Sequence, residues 1–292
     1  MAKPRGGAAD LMRSVHVVVV AYHGAPELDR ALASVRGEAP VTVVDNSQST
    51  AVAAVCERHA AVYLPTAANL GFAAGVNAAL REILAGDPSD VLLLNPDAVL
   101  PAGAIATLGD AVASDPRACA VSPAIVYPDG SPQRVLWPFP SPAQAWLEAA
   151  GLSRFDGHSS FAVGTVLLLR WESLQEVGLF DERFFLYAEE TDWQRRARDL
   201  GWHAIACPEL VASHIGGGTS EDPSRRERLF YAAQETYIRK WYGSRGWLFY
   251  RTAVVAGAAV RAVVLRRDRR AGAARRLLIY LRGPRRVAAA RN

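Results

Sequence analysis

Three acids, Glu189, Glu190 and Asp192, stand directly behind the run Phe184–Phe185–Leu186–Tyr187. A carboxylate pressed against aromatic side chains loses hydration, which raises its proton affinity and makes it a better general base. The residues from Asp192 to Leu200 read as a helix, with Arg195 and Arg196 spaced to pair with Asp192 and Gly201 as its stop. Acids in a first helical turn also complement the helix dipole. On these residues alone a catalytic and a structural reading are both open, and the rest of the chain decides between them.

Four other places carry chemistry. The run Val41–Val44 ends in Asp45–Asn46–Ser47, where Asp45 either accepts hydrogen bonds from a base N–H or a ribose hydroxyl, or folds a turn and caps a helix. The segment from Asn69 to Asn77 contains Gly71 and Gly75 and opens a helix running to about Leu84. Its glycines permit close approach by a ligand or by a neighbouring helix, and it lacks the spacing of a P-loop or a dinucleotide fingerprint. Asn95–Pro96–Asp97 follows an apolar strand that Pro96 ends. A carboxylate there suits a divalent cation that also binds nucleotide phosphates, or else an Asn-Pro-Asp helix cap. His214 precedes the glycine-rich Ile215–Ser220, as either a structural histidine or a ligand beside a flexible lid.

The elements that must position these groups begin with His16–Ala21, a continuous apolar run suited to a strand buried on both faces. Pro26–Val35 and Thr50–Arg58 read as helices, and 41–44 and 61–64 as strands. This β-α-β-α-β start implies a right-handed, mostly parallel sheet flanked by helices, with ligands gathered at the carboxyl ends of the strands. Ala21, Tyr22 and Asp45 lie at that edge. Further strands are expected over 91–94, 118–126 (turned as a hairpin by Pro128–Gly130), 162–169 (opened by Gly164) and 203–207. Helices are expected over 104–113 and 171–177, and Trp137–Pro142 reads as a loop.

The chain of 292 residues is half hydrophobic and about a fifth charged, which suits a globular α/β core with an appendage. Its charge is segregated. Residues 1–224 hold 15 Lys+Arg against 26 Asp+Glu, a net of −11, while residues 225–292 hold 18 against 3, a net of +15. Cys56, Cys119 and Cys207 are scattered, which argues against a disulfide framework or structural zinc and fits a reducing compartment. Residues 1–13 read as a disordered tail, and the short apolar run after them as a strand rather than a signal peptide. In the basic segment Arg251 and Arg261 interrupt Trp247–Leu265 and leave nine uncharged residues between them, short of the roughly 20 that span a bilayer. Amphipathic helices lying in an anionic membrane interface, or helices packed on the body with a solvated basic face, both satisfy this pattern. No nucleic-acid motif accompanies the charge, and an acidic body disfavours that partner.

Taken together, VVDNS, NLGFAAGVN, LLLNPD and GTVLLLR…GLFDERFFLYAEETDWQRR occur in the order and spacing of the family 2 inverting glycosyltransferases of GT-A fold. The chain resembles their bacterial rhamnosyltransferase-like branch over about residues 14–222, with 223–292 as a basic helical tail. The resemblance implies that Asp45 contacts the nucleobase and that Ala21, Tyr22, Asn69, Gly71, Asn77 and Asn95 line the nucleotide-sugar site. It also implies that Asp97, with His214, holds Mg²⁺ or Mn²⁺ on the diphosphate. Asn95 stands where a DXD-type motif has its first acid, which leaves the cation fewer anionic ligands. Gly164, Thr165 and Tyr187 would border the acceptor. Glu190 aligns with the catalytic base, more usually Asp, with Glu189 as second candidate; Asp192 would hold the helix start. The implied reaction moves a sugar, L-rhamnose from dTDP-rhamnose, to a polyprenyl-linked or surface-polysaccharide acceptor on the cytoplasmic face of the membrane. UDP-galactofuranose, a UDP-hexose or an amino-sugar donor would fit the same site. A nucleotidyltransferase would instead need a glycine-rich, basic first turn, where this chain has Tyr22–His23–Gly24.

Overall fold

The structure, a computed structural model, describes residues 13–152, 160–216 and 222–290. The expected N-terminal tail, save Arg13, and most of the expected lid, from 217 on, lie outside the described residues. The first half alternates as predicted: β1 (Ser14–Ala21), α1 (Ala25–Ser34), β2 (Val41–Asp45), α2 (Thr50–Arg58), β3 (Val62–Pro65), α3 (Gly71–Ile83) and β4 (Ser89–Leu94). There follow β5 (Ala98–Val99), α4 (Ala104–Ser114), β6 (Ala118–Val126), β7 (Pro132–Gln133), β8 (Leu136–Pro138), α5 (Pro142–Ala149), β9 (Ser160–Ala162) and β10 (Val166–Leu169). The chain continues with α6 (Trp171–Val177), α7 (Glu189–Asp199), β11 (His203–His214), α8 (Pro223–Val264), α9 (Arg267–Arg282) and α10 (Pro284–Ala289).

The main sheet has the order β3-β2-β1-β4-β10-β6-β11-β5. It is parallel from β3 to β4, as expected, but β10 enters antiparallel between β4 and β6, so the sheet is mixed. That insertion brings the start of β10 to the edge where β1, β2 and β4 end. Val166 pairs with Leu94, and the Asn95 N–H donates to the Thr165 carbonyl at 2.9 Å. The predicted strand over 162–169 is broken at 163–165, because β9 leaves the main sheet to pair with β8. The predicted loop at Trp137–Pro142 is correspondingly part strand and part helix start. The predicted last strand, 203–207, continues across an irregularity to His214, which pairs with Ala98. His214 is therefore fixed by sheet register beside Asp97, not carried on a loop.

Period-2 alternation sorts the core. Val15, Val17 and Val19 of β1 join Leu28 and Leu32 of α1, Val52 of α2 and Leu108 of α4 on one face. Val18 and Leu93 join Val76 and Leu80 of α3 and Trp193 of α7 on the other. A third cluster joins the body to the C-terminal segment, with Phe184, Ala188 and Ala145 packed against Tyr237, Ile238, Trp247, Tyr250 and Tyr280. Gly243 kinks α8 (φ 66°), so its two halves pack separately. By length and composition an 18-residue window of α8 could cross a membrane, and a third of that window is buried against the protein.

Helix α7 is locked on every side. The Trp193 ring, fully buried, stacks on Phe180 at 5.8 Å and its Nε1 donates to the Gly178 carbonyl. The Gln194 amide accepts from Ala162 N–H at 2.8 Å and donates to the Ala162 carbonyl at 2.7 Å, replacing the ladder that β9 lacks there. Arg196 donates to the carbonyls of Val177 and Leu179. The carboxylate of Asp192, with no exposed surface, accepts from Arg196 at 3.2 Å, Trp241 Nε1 at 3.0 Å and Lys240 at 2.6 Å. The predicted Arg196 pairing with Asp192 forms. Arg195 does not join it: it lies 3.7 Å from Asp199, one turn on, and over the Trp241 and Phe139 rings. Because the buried Asp192 neutralises half-buried cations on both sides, Asp192→Ala is expected to cost about 3–5 kcal/mol. Urea denaturation of the full chain would measure it.

Candidate active site

The chain enters α7 through two consecutive non-glycine residues in left-handed backbone, Tyr187 (φ 72°) and Ala188 (φ 67°). Such conformations cost roughly 1–3 kcal/mol each and persist only where surrounding packing imposes them. Here the Phe185 carbonyl accepts from Phe72 N–H at 2.7 Å, and Gly71 lies so close that an added Cβ would stand 2.2 Å from the same oxygen. Ala188 is buried in the cluster beneath α8. The turn places Glu189 and Glu190 in the first turn of α7, three residues earlier than the predicted helix start.

Both glutamates line a cleft of about 630 Å³ with Asn95, Gly164, Thr165, Tyr187, Phe161 and Trp137. Glu189 is buried, and among the described residues Glu189 Oε2 and Glu190 Oε2 have no hydrogen-bond partner. Burial, reinforced by the neighbouring Glu190 charge, pushes the Glu189 carboxyl well above the usual carboxylate range. Burial also raises Glu190, but backbone N–H groups of Glu190, Gly164 and Thr191 oppose it. Glu189 has its own backbone N–H alone against burial and the Glu190 charge, so Glu190 is the more readily ionised of the two. Gly164 borders Glu190 closely enough that an added Cβ would lie in ordinary contact with it, 3.6 Å from its Cγ. Tyr187, whose phenol burial also pushes upward in pKa, packs edge-on against Phe230 of α8 at 5.7 Å.

At the neighbouring strand ends, the His214 Nε2 lies 3.2 Å from Asp97 Oδ1. Gln133 orients the ring: its amide donates to the His214 carbonyl at 2.9 Å, so its oxygen faces Nδ1 at 3.0 Å and takes the Nδ1 proton. Nε2 and the Asp97 carboxylate thus face each other, a nitrogen and oxygen pair that a divalent cation would satisfy with the ring neutral. Among the described residues no group of three or more His, Cys, Asp or Glu could hold a metal. Two protein ligands suit Mg²⁺ or Mn²⁺ completed by phosphate oxygens.

The other sequence-predicted residues divide. Asp45 is fully buried: Oδ1 accepts from the Ser47 N–H and hydroxyl, and Oδ2 from Ser49 N–H and the Tyr63 hydroxyl. Of the two open readings, the hydrogen bonds realise the turn. Asn77 is a correction. Its amide is buried against Phe180 and Glu182, bonding the Phe180 N–H and carbonyl at 2.9 Å, and so fastens α3 to the segment before α7. Gly75 packs on Val20 and Gly71 on Phe185, so both glycines serve close packing within the protein. Asn69 folds its own turn, accepting from Gly71 N–H at 3.0 Å. Ala21 is buried beside Asp45, and Tyr22 stacks on His23 at the same strand edge. Sequence reasoning missed Gln133, and it missed the wall of the cleft supplied by Phe230, Tyr231, Gln234, Arg276 and Tyr280. Their aromatic and arginine pattern reads equally as a membrane-facing helix.

Residues 16–178 match the family model Glycosyl transferase family 2. The chain is 33% identical over 264 residues to an N-acetylglucosaminyl-diphospho-decaprenol L-rhamnosyltransferase of Mycobacterium tuberculosis, covering 79% of this chain and 85% of that protein. It is 24% identical over 212 residues to the low-salt glycan biosynthesis hexosyltransferase Agl10 of Haloferax volcanii, covering 70% and 68%. Among solved structures, a mannosyltransferase of Pyrobaculum calidifontis with GDP-Man and Mn²⁺ superposes with a TM-score of 0.55 at 19% identity, over 94% of this chain and 82% of that one. GalNAc-T7 with UDP, GalNAc and Mn²⁺ gives 0.60 at 13% identity, over 94% and 56%. These likenesses show the GT-A fold.

Two measurements probe this site. Gly71→Ala should destabilise by roughly 2–4 kcal/mol, from its left-handed backbone and the Phe185 carbonyl in its way; thermal denaturation reads this. A carboxyl whose folded pKa is raised takes stability away as pH climbs from the ordinary carboxylate range through the raised value. Glu189→Gln is therefore expected to melt above the unsubstituted protein at pH 8, with the gap closing by pH 4, in melts across that range.

Proposed function

The chain belongs to glycosyl transferase family 2, and from that membership and the cleft at Glu190 we propose that it is an inverting sugar transferase acting on a lipid-linked acceptor. The observation that carries this reading is Glu190 Oε2, without a hydrogen-bond partner among the described residues, in a cleft that also contains Thr165 and Asn95, two residues along the chain from Asp97 of the Asp97–His214 pair. Glu190 removes the proton from an acceptor hydroxyl. The oxygen bonds to the anomeric carbon of the donor while the bond from that carbon to the diphosphate oxygen breaks on the opposite face. One displacement inverts the centre and releases a nucleoside diphosphate.

The carboxyl ends of β1 and β2 would receive the nucleoside, against Tyr22 and the turn that Asp45 folds. Asn69 and Gly71 shape that pocket by holding α3 to the Phe185 carbonyl rather than by touching the donor. Asp97 and His214 would hold a divalent cation, which when bound supplies positive charge for the departing diphosphate. Glu189, protonated more persistently than Glu190, can donate a hydrogen bond into the cleft. Similarity to the mycobacterial rhamnosyltransferase supports dTDP-rhamnose as donor and a polyprenyl-diphosphate-linked sugar as acceptor.

Glu190→Gln should lower kcat by about 10²–10⁴-fold and leave nucleotide affinity within about twofold, because it removes the base and nothing at the β1–β2 ends. Transfer at the unsubstituted rate by a variant that still binds nucleotide would show the base assignment to be wrong. Since the base must be ionised and burial raises its pKa, the acidic limb of the kcat–pH profile is expected above the usual carboxylate range. Hydrolysis assays with dTDP-rhamnose, UDP-galactofuranose and UDP-hexoses, with and without Mn²⁺, would identify the donor.

A further inference from the structure

The cleft at Glu190 is not made by the family-matched body alone. One wall comes from α8 and α9, through Phe230, Tyr231, Gln234, Tyr250, Arg276 and Tyr280. Buried polar atoms without a partner concentrate there: Gln234 Oε1 and Arg276 Nε on this wall face the same space as Glu189 Oε2 and Glu190 Oε2. A polar atom buried without a partner is costly unless a ligand completes it.

Arg276 is the most informative of these. Its guanidinium lies over the rings of Tyr231 at 5.6 Å and Tyr280 at 5.9 Å, and among the described residues it makes no ion pair. The aromatic walls orient a planar cation without neutralising it, leaving its N–H fork available to an anion. The donor's diphosphate does not account for that anion, since its expected ligands, Asp97 and His214, are outside this cleft's lining. The anion therefore arrives with the acceptor. Next to the cleft the surface is apolar. Trp146 of α5 and Phe249 of α8 are exposed and pack with tilted rings 5.6 Å apart, with exposed Leu147 and Leu248 beside them. The helix α5 that carries Trp146 also lends Gln144, Ala145 and Glu148 to the lining. Carboxylate pair, guanidinium and apolar rim match the parts of a lipid-linked sugar: hydroxyl, phosphate and hydrocarbon.

We propose that the C-terminal helices complete the acceptor site, with Arg276, assisted by Gln234, binding the phosphate that joins the acceptor sugar to its lipid carrier. This assignment rests on the transferase reading above and deepens it. It makes acceptor recognition a property of a segment that the family model, ending at residue 178, does not cover.

Binding and turnover test it separately. The full chain, without nucleotide or metal, would be titrated with decyl diphosphate, following tryptophan fluorescence. Arg276→Gln should weaken binding tenfold or more, Arg276→Lys should retain part of it, and Arg286→Gln, at an exposed arginine of the same segment, should leave it unchanged. Circular dichroism would verify that each variant is folded. Equal binding by the Arg276→Gln and unsubstituted proteins, or equal loss in Arg276→Gln and Arg286→Gln, would overturn the assignment. In turnover, Arg276→Gln should raise KM for an N-acetylglucosaminyl-diphospho-decyl acceptor and erase its advantage over neutral decyl N-acetylglucosaminide. Lack of donor hydrolysis by the unsubstituted protein would fault the transferase reading; intact hydrolysis with no preference for the phosphorylated acceptor would fault the Arg276 assignment alone.

Discussion

The buried carboxylate of Asp192 is the constraint on which the rest depends. It sits one turn beyond the glutamate pair and gathers three donors, Arg196 from its own helix and Lys240 and Trp241 from α8. Lys240 also reaches Asp181 at 2.7 Å, in the segment leading to the aromatic run. One residue thus joins the helix that presents the glutamates to the helix that closes their cleft. Desolvating a carboxylate fully is tolerated only when charge and hydrogen bonds surround it, and that requirement fixes the separation of the two helices more tightly than apolar packing could. Catalytic geometry and tail docking are, in this protein, one structural problem.

The glutamates themselves are placed against local preference. Left-handed backbone at Tyr187 and Ala188, a close approach at Gly71 and two adjacent desolvated carboxylates are each unfavourable alone. They are held by favourable terms elsewhere: Trp193 in the core, Gln194 on the β9 backbone, and Arg196 on two carbonyls. The sequence DWQRR holds four such fasteners: Asp192 bonds α8, Gln194 bonds β9, and Trp193 and Arg196 both bond the carbonyls of 177–179, while Arg195 packs on rings. Strain at the mouth of α7 and locking along its body are complementary, since a looser helix would let the turn relax and rehydrate the acids.

Much of this was legible in the sequence where a local pattern and a tertiary role coincide. The apolar runs of β1 and β4 fixed the parallel half of the sheet, and Pro96 marked where a central strand ends. Residue by residue Asp97 and His214 were singled out separately and only the family resemblance joined them; the register of β11 against β5, a pairing over more than a hundred residues, is what sets them side by side. Asn77 was misread because a buried amide that satisfies a distant backbone looks, in sequence, like a ligand amide. Asp45 was left even between turn and ligand, and its four donors include Tyr63, which lies on the neighbouring strand and outside any local motif. The cleft wall was not legible, because aromatics and arginines at helical spacing serve a membrane interface and a protein interface by the same physics.

The charge segregation has a comparable double origin. Among the described ion pairs, two of the tail's cations meet acids of the body: Lys240 at Asp181 and Asp192, and Arg228 at Asp222, just before α8. Arg239 and Arg275 pair with Glu235 and Glu227 of the tail itself. Arg266, Arg269, Arg270, Arg282, Arg285 and Arg286 are exposed. The surplus of positive charge therefore does not serve to hold the tail on an acidic body; aromatic packing and the Asp192 clamp do that. It faces outward. A segment that closes an acceptor cleft with its aromatics and Arg276, and leaves its other surplus arginines exposed, can meet an anionic lipid surface without giving up either contact, because the two contacts use different residues. Under the proposed reading, the membrane interaction and the packed arrangement that the sequence posed as alternatives become the two sides of one set of helices.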